Sequence, residues 1–164
     1  MSNQTIIIPL KRFLLIEKCP EEWQHLNLYL FRDETVVFYV GQSQLAFARV
    51  WEHLLSGFKG HSMVGRFVWS NFPTSLKFNI ELRSSQFDEF AALNHNLNAA
   101  ERALIERYAP CFNLALNPQP TPLPPIYRPY NAPLRCSRNL KKLIYQAERA
   151  VQHDETQHWL ETLK

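Results

Sequence analysis

Leu28-Tyr29-Leu30, Phe38-Tyr39-Val40-Gly41, Arg49-Val50-Trp51-Glu52-His53 and Gly60-His61-Ser62 decide how this chain is read. Residues 26–31 and 36–40 are apolar and rich in β-branched and aromatic side chains, as strands are. The polar run Arg32-Asp33-Glu34-Thr35 between them suits a hairpin loop, and Gly41 closes the second strand. Over residues 45–55 the apolar positions Leu45, Phe47, Val50, Trp51, Leu54 and Leu55 fall near helical spacing. Ser43 is the expected N-cap and Gly57 the expected left-handed C-terminal residue. Tyr29 and Tyr39 then stand on neighbouring strands. Arg49 and His53, four apart, share one helical face. Two phenols, a guanidinium and an imidazole converge, a set suited to handling a phosphodiester.

Outward from this stretch, Ile6-Ile7-Ile8 and Phe13-Leu14-Leu15-Ile16 read as a hairpin or as an extra edge strand on the main sheet. Residues 20–23 suggest a turn or a single helical turn. Residues 61–69 predict a short helix with Met63, Val64, Phe67 and Val68 inward. Residues 76–82 alternate apolar and polar, the mark of a half-buried strand. A helical stretch over 87–93 and a helix over 99–108, capped by Asn98 and stopped by Pro110, complete the pattern. Pro118, Pro120, Pro122, Pro124, Pro125, Pro129 and Pro133 rule out helix or central sheet in that stretch and predict a linker or a strap over the surface. Residues 138–151 read as a basic helix and 156–163 as a last amphipathic piece.

Hydrophobic residues form 46% of the 164, enough for a sizeable core, and the net charge of +3 permits a nucleic-acid partner without demanding one. Three cysteines with no CxxC pair argue against a disulfide framework or a thiolate zinc site. The apolar run at 5–16 is broken by Pro9, Lys11 and Arg12, too short to span a bilayer, and lacks the features of a secretory signal. A cytoplasmic protein without a membrane partner is expected.

The ordered series Tyr29, Tyr39-Val40-Gly41, Arg49, His53, His61, Glu101 and Asn113 resembles the GIY-YIG nucleases. Gly41 to Arg49 is eight residues, Arg49 to His53 four, and Glu101 to Asn113 twelve. The likeness covers about residues 26–117. One departure stands out: the first motif, Asn27-Leu28-Tyr29, lacks its glycine.

The resemblance implies an α+β fold: a small three-stranded, mostly antiparallel sheet flanked by helices in the order β-β-α-α-β-α. To that core this chain adds an N-terminal β extension (1–25), the Pro-rich linker (118–134) and a basic helical tail (135–164). It implies a metal-dependent DNA endonuclease, with Tyr29 as general base, Glu101 holding one Mg²⁺ or Mn²⁺, and Arg49 clamping the phosphate. His53 lowers the tyrosine's proton affinity or relays its proton, and Tyr39 orients water or a phosphate oxygen. Gly41, His61 and Asn113 are candidate substrate contacts, Asn113 alternatively a tie holding the last segment to the active face. In the tail, Arg138, Lys141 and Lys142 are candidate contacts to the DNA backbone. Cutting both strands calls for a homodimer or two successive events. The competing expectations are a catalytically silent nucleic-acid-binding module of the same fold and a protein-interaction domain using Trp23, Trp51 and Trp69.

Overall fold

The computed structural model describes residues 4–163. Its strands are β1 (Ile6–Pro9), β2 (Leu28–Arg32), β3 (Val37–Gln42) and β4 (Asn79–Arg83). Its α-helices are α1 (Leu10–Phe13), α2 (Ala46–Gly57), α3 (Met63–Ser70), α4 (Leu97–Tyr108) and α5 (Leu140–Thr162). Short 3₁₀ turns lie at Glu21–Trp23, Thr74–Lys77 and Asp88–Leu93. From β2 to α4 the order is β-β-α-α-β-α.

The sheet has four strands in the order β1-β4-β2-β3, every neighbouring pair antiparallel. The three-stranded expectation is corrected. Ile6-Ile7-Ile8 pairs with Leu82-Glu81-Ile80, so the N-terminal run extends the sheet at its β4 edge. No hairpin forms there, because after Pro9 the chain turns into α1 and buries Leu10 and Phe13 instead. The strand expected over 76–82 begins later, since Leu76 lies in a 3₁₀ turn.

Tyr29 faces Gly41 on one side and Leu82 on the other, and Phe31 faces Tyr39. These side chains share the sheet face that receives α2. Helix α3 lies so close to α2 that a Cβ at Gly65 would stand 1.9 Å from the His53 carbonyl oxygen. Gly57 sits in this same contact rather than at a left-handed helix end; that conformation falls at Gly60, φ 77°. Leu45 occupies the N-cap position expected for Ser43, and Asn96 the one expected for Asn98.

The opposite face carries a buried ion network: Glu81, 2% exposed, takes Arg83 at 2.6 Å and Arg32 at 3.5 Å, and Arg83 reaches Glu89 at 2.8 Å. Removing one member of such a network is strongly destabilising, because it leaves an uncompensated buried charge.

The Pro-rich segment is a strap. Tyr127 sets its ring edge-on against Phe38, Phe67 and Phe78 and donates to Asp33 Oδ2 at 2.5 Å. Asn71 exchanges two hydrogen bonds with the Arg128 backbone, at 2.8 and 2.9 Å. The two C-terminal pieces expected over 138–151 and 156–163 are one helix, α5, which docks on α1 through Leu143, Ala147 and Val151. Lys11–Asp154 and Arg12–Glu155 ion pairs flank that contact. No helix among the described residues is long and apolar enough to cross a membrane.

Candidate active site

Tyr29 is 2% exposed, and its hydroxyl meets His53 Nε2 at 2.8 Å. The other ring nitrogen, Nδ1, lies 2.8 Å from Ser62 Oγ, which accepts from the Gly65 N–H at 3.0 Å as the N-cap of α3. A neutral imidazole has one N–H, so His53 donates to one hydroxyl and accepts from the other. The result is a three-residue chain running from strand β2 through helix α2 to the start of α3. Tyr39 closes the group, its ring centroid 6.2 Å from Tyr29 and 5.4 Å from His53.

Gly41 explains how Tyr29 lies where it does. A Cβ there would come within 2.2 Å of the Tyr29 ring carbon and hydroxyl, so the phenol crosses β3 directly over this residue. Gly41 is buried under that ring.

Arg49 stands one helical turn before His53, half-exposed, with a 2.7 Å ion pair to Glu52. Its charge also acts on the Tyr29 hydroxyl, favouring the ionised phenol. Glu101, on α4, takes a hydrogen bond from Gln42 and acts electrostatically on both Tyr39 and Tyr29. Gln42 is itself held by Asn98 Oδ1 at 2.7 Å. Tyr29, Tyr39 and His53 therefore cluster, with Arg49 one turn away on the same helix and Glu101 near enough for its charge to act on both phenols.

Proton affinities in this cluster follow burial. Desolvation, then Tyr39 and Glu101, pushes the Tyr29 phenol up against the opposing pull of Arg49. Tyr39 is raised likewise by burial and by Glu101. Desolvation, helped by the Arg49 charge, depresses His53 from 6.5 to about 4, so its ring is neutral at physiological pH. Burial raises Glu101 above the ordinary carboxylate range.

The donor set suits one kind of metal. Glu101 is a partly buried carboxylate whose charge is met by an amide and by no cationic side chain among the described residues. A hard divalent cation would relieve that burial penalty. No group of three or more His, Cys, Asp or Glu among the described residues is arranged to cage a metal. A single carboxylate fits a cation that keeps most of its waters, as Mg²⁺ does.

Other candidates lie elsewhere. Asn113 is 7% exposed, and its amide is spent on β3: Val40 N–H donates to Oδ1 and Nδ2 donates to the Val40 carbonyl, both at 2.9 Å. That is the tie, not a free phosphate contact. His61 is exposed in the turn between α2 and α3. Arg138, Lys141 and Lys142 are exposed around the start of α5, and Lys142 lines a separate groove whose walls include none of Tyr29, Tyr39, Arg49, His53 and Glu101. Two participants had no role in the sequence reading: Ser62, noted beside His61 but given no part in the site, and Gln42. Ser62 was legible as an N-cap, three residues before Gly65 and just ahead of an apolar run; Gln42 carried no signal.

Searches against protein-family models, curated proteins and solved structures find no match.

Proposed function

We propose that this chain is a metal-dependent endonuclease that hydrolyses DNA phosphodiester bonds at the Tyr29–His53 cluster. The observation that carries the reading is the 2.8 Å contact of the Tyr29 hydroxyl with a neutral His53, beside Arg49 and Glu101. A phenol of pKa ~10 is a poor base by itself, and burial makes Tyr29 harder still to ionise. A proton acceptor behind it removes that obstacle.

In the proposed step His53 carries its proton on Nδ1, toward Ser62, and accepts at Nε2. The attacking water gives its proton to the Tyr29 oxygen as the Tyr29 proton passes to Nε2. Tyr29 ends neutral, His53 ends as imidazolium, and the hydroxide adds to phosphorus in line with the departing sugar oxygen, whose bond to phosphorus breaks and which takes its proton from solvent. Arg49 faces the phosphate, its planar fork matching two of the oxygens that gain charge. The substrate's negative charge also offsets the Arg49 field that depresses His53, which raises the acceptor's basicity when substrate is bound. Tyr39 orients water or a phosphate oxygen. Glu101 would hold the divalent cation, which when bound supplies Lewis acidity beside the phosphate.

A second reading, a silent nucleic-acid-binding module, draws on a specific observation. The Tyr29 hydroxyl is buried and already paired with His53, which leaves it poorly placed to meet an attacking water. One experiment separates the two. Supercoiled and single-stranded DNA are incubated with Mg²⁺, Mn²⁺ or chelator, wild type beside Tyr29→Phe, Arg49→Ala and Glu101→Ala. A nuclease cuts only with metal, and each variant loses on the order of 10² or more in rate. Equal cutting by variants and wild type refutes the mechanism. No cutting at all, with salt-sensitive binding retained, leaves the binding module.

A further inference from the structure

A groove of about 780 Å³ lies away from this cluster, between the end of α3, the Pro-rich strap and the first half of α5. Its walls carry Arg128, Arg135, Lys142 and Arg149 and no carboxylate. None of these four makes an ion pair with a described carboxylate. The reason lies in how α5 is charged. Of its acidic residues, Asp154 and Glu155 are drawn to Lys11 and Arg12 and Glu148 takes a hydrogen bond from Gln152, so the basic residues of the first half face the groove without a carboxylate partner. Arg128 is fixed by carbonyls, Nη1 donating to Ser70 and Nη2 to Pro133, so its charge is positioned but not cancelled. On the α5 wall Tyr145 is 58% exposed, with the Arg149 guanidinium 6.0 Å from its ring centroid.

We propose that this groove binds a short run of single-stranded nucleic acid, its phosphates on Arg135, Lys142 and Arg149 and a base on Tyr145. A basic concavity with an exposed aromatic ring is how unpaired strands are held: cations follow the backbone while bases stack. The groove has the size of a pocket for a single organic ligand, ~300–1,000 Å³, enough for splayed nucleotides, and the exposed Tyr145 ring offers the stacking surface that only unpaired bases can use. It shares the nucleic-acid partner with the proposed cleavage but none of its residues.

The test is fluorescence anisotropy of the full chain with labelled oligo-dT and with a duplex of equal length, over a range of salt. In the triple variant Arg135→Gln/Lys142→Gln/Arg149→Gln, single-strand Kd rises at least about 10-fold, and the slope of log K against log salt falls by about 2, from roughly 0.7 per phosphate contact. Tyr145→Ala weakens single-strand binding about 5- to 100-fold and leaves the slope unchanged. Circular dichroism checks that both variants are folded. Wild-type affinity and slope in the triple variant overturn the proposal, and so does duplex binding as tight as single-strand binding. Because Tyr29 and Glu101 lie outside the groove, failure of the cleavage assay and failure of this assay are separate results.

Discussion

Gly41 and His53 are the residues on which the site's geometry turns. Gly41 has no side chain because the Tyr29 ring occupies the space. In Gly41→Ala the methyl and the ring cannot both stay, and the rigid aromatic is the one that must swing away from His53. Overpacking of this kind costs about 1–3 kcal/mol, which urea denaturation will register. On the proposed mechanism cleavage should fall as far as in Tyr29→Phe, although the Tyr29 hydroxyl is still present. A Gly41→Ala variant with full activity would show that Tyr29 need not lie where it does.

His53 makes a pH prediction with a definite sign. Its folded pKa of about 4 lies below the unfolded value of 6.5, so between these pH values the unfolded chain binds the extra proton. The contribution of His53 to stability is complete above about 6.5 and is lost as pH falls toward about 4. The full depression corresponds to about 3 kcal/mol; with the ring partly open to solvent, about 1–2 kcal/mol is expected. His53→Gln should therefore flatten the acid limb of a stability–pH curve in that window. An unchanged limb would mean that His53 is not the buried neutral base described.

At the scale of elements, β3 is the outer strand of the sheet, and residues 111–113 cover its free edge. Cys111 and Phe112 donate to the Val37 and Phe38 carbonyls, and Asn113 finishes the row on Val40 with a side chain in place of backbone. Asn113→Ala leaves a buried donor and a buried acceptor without partners, at about 1–3 kcal/mol each. Hydrogen exchange at the Val40 amide should accelerate in the same variant, and an unchanged rate would mean the tie carries no load. This tie also shows what the sequence could disclose. Twelve residues after Glu101, Asn113 was legible as a position worth noting, but the choice between substrate contact and tie depends on which edge of the sheet is open. That edge is set by long-range pairing, which spacing does not encode. The periodic elements were legible for the opposite reason, since α2 and α3 bury faces that repeat locally. The fourth strand was half-legible: the β-branched run Ile6-Ile7-Ile8 advertised a strand, while its partner lies more than 70 residues away. The meeting of Arg49, His53, Tyr29 and Tyr39 could be expected from a shared helix face and adjacent strands. The arrival of Glu101 was expected from the resemblance alone, because it depends on how α4 lies against β3, which periodicity and spacing do not show.

For the whole molecule, the question is whether the strap and α5 are an appendage or part of the fold. The contacts favour the second. Tyr127 inserts its ring among Phe38, Phe67 and Phe78, the aromatic centre that joins β3, α3 and the approach to β4. Leu143 and Ala147 are fully buried, and α5 rests on α1, the segment that follows the first strand of the sheet. The two ends of the chain are thus clamped together, and loosening one should loosen the other. Leu143→Ala removes a side chain with no exposure and should cost about 2–4 kcal/mol. In a Trp159→Phe background, where α5 carries no tryptophan, an integral tail gives a single cooperative transition, with tryptophan fluorescence (Trp23, Trp51, Trp69) and far-ultraviolet circular dichroism moving together. If the tail is an appendage, α5 melts first and the tryptophan signal of the sheet and its two helices keeps its wild-type midpoint. The second outcome would also detach the basic groove from the folded body, because the α5 wall that carries Lys142, Tyr145 and Arg149 would no longer be held against the strap.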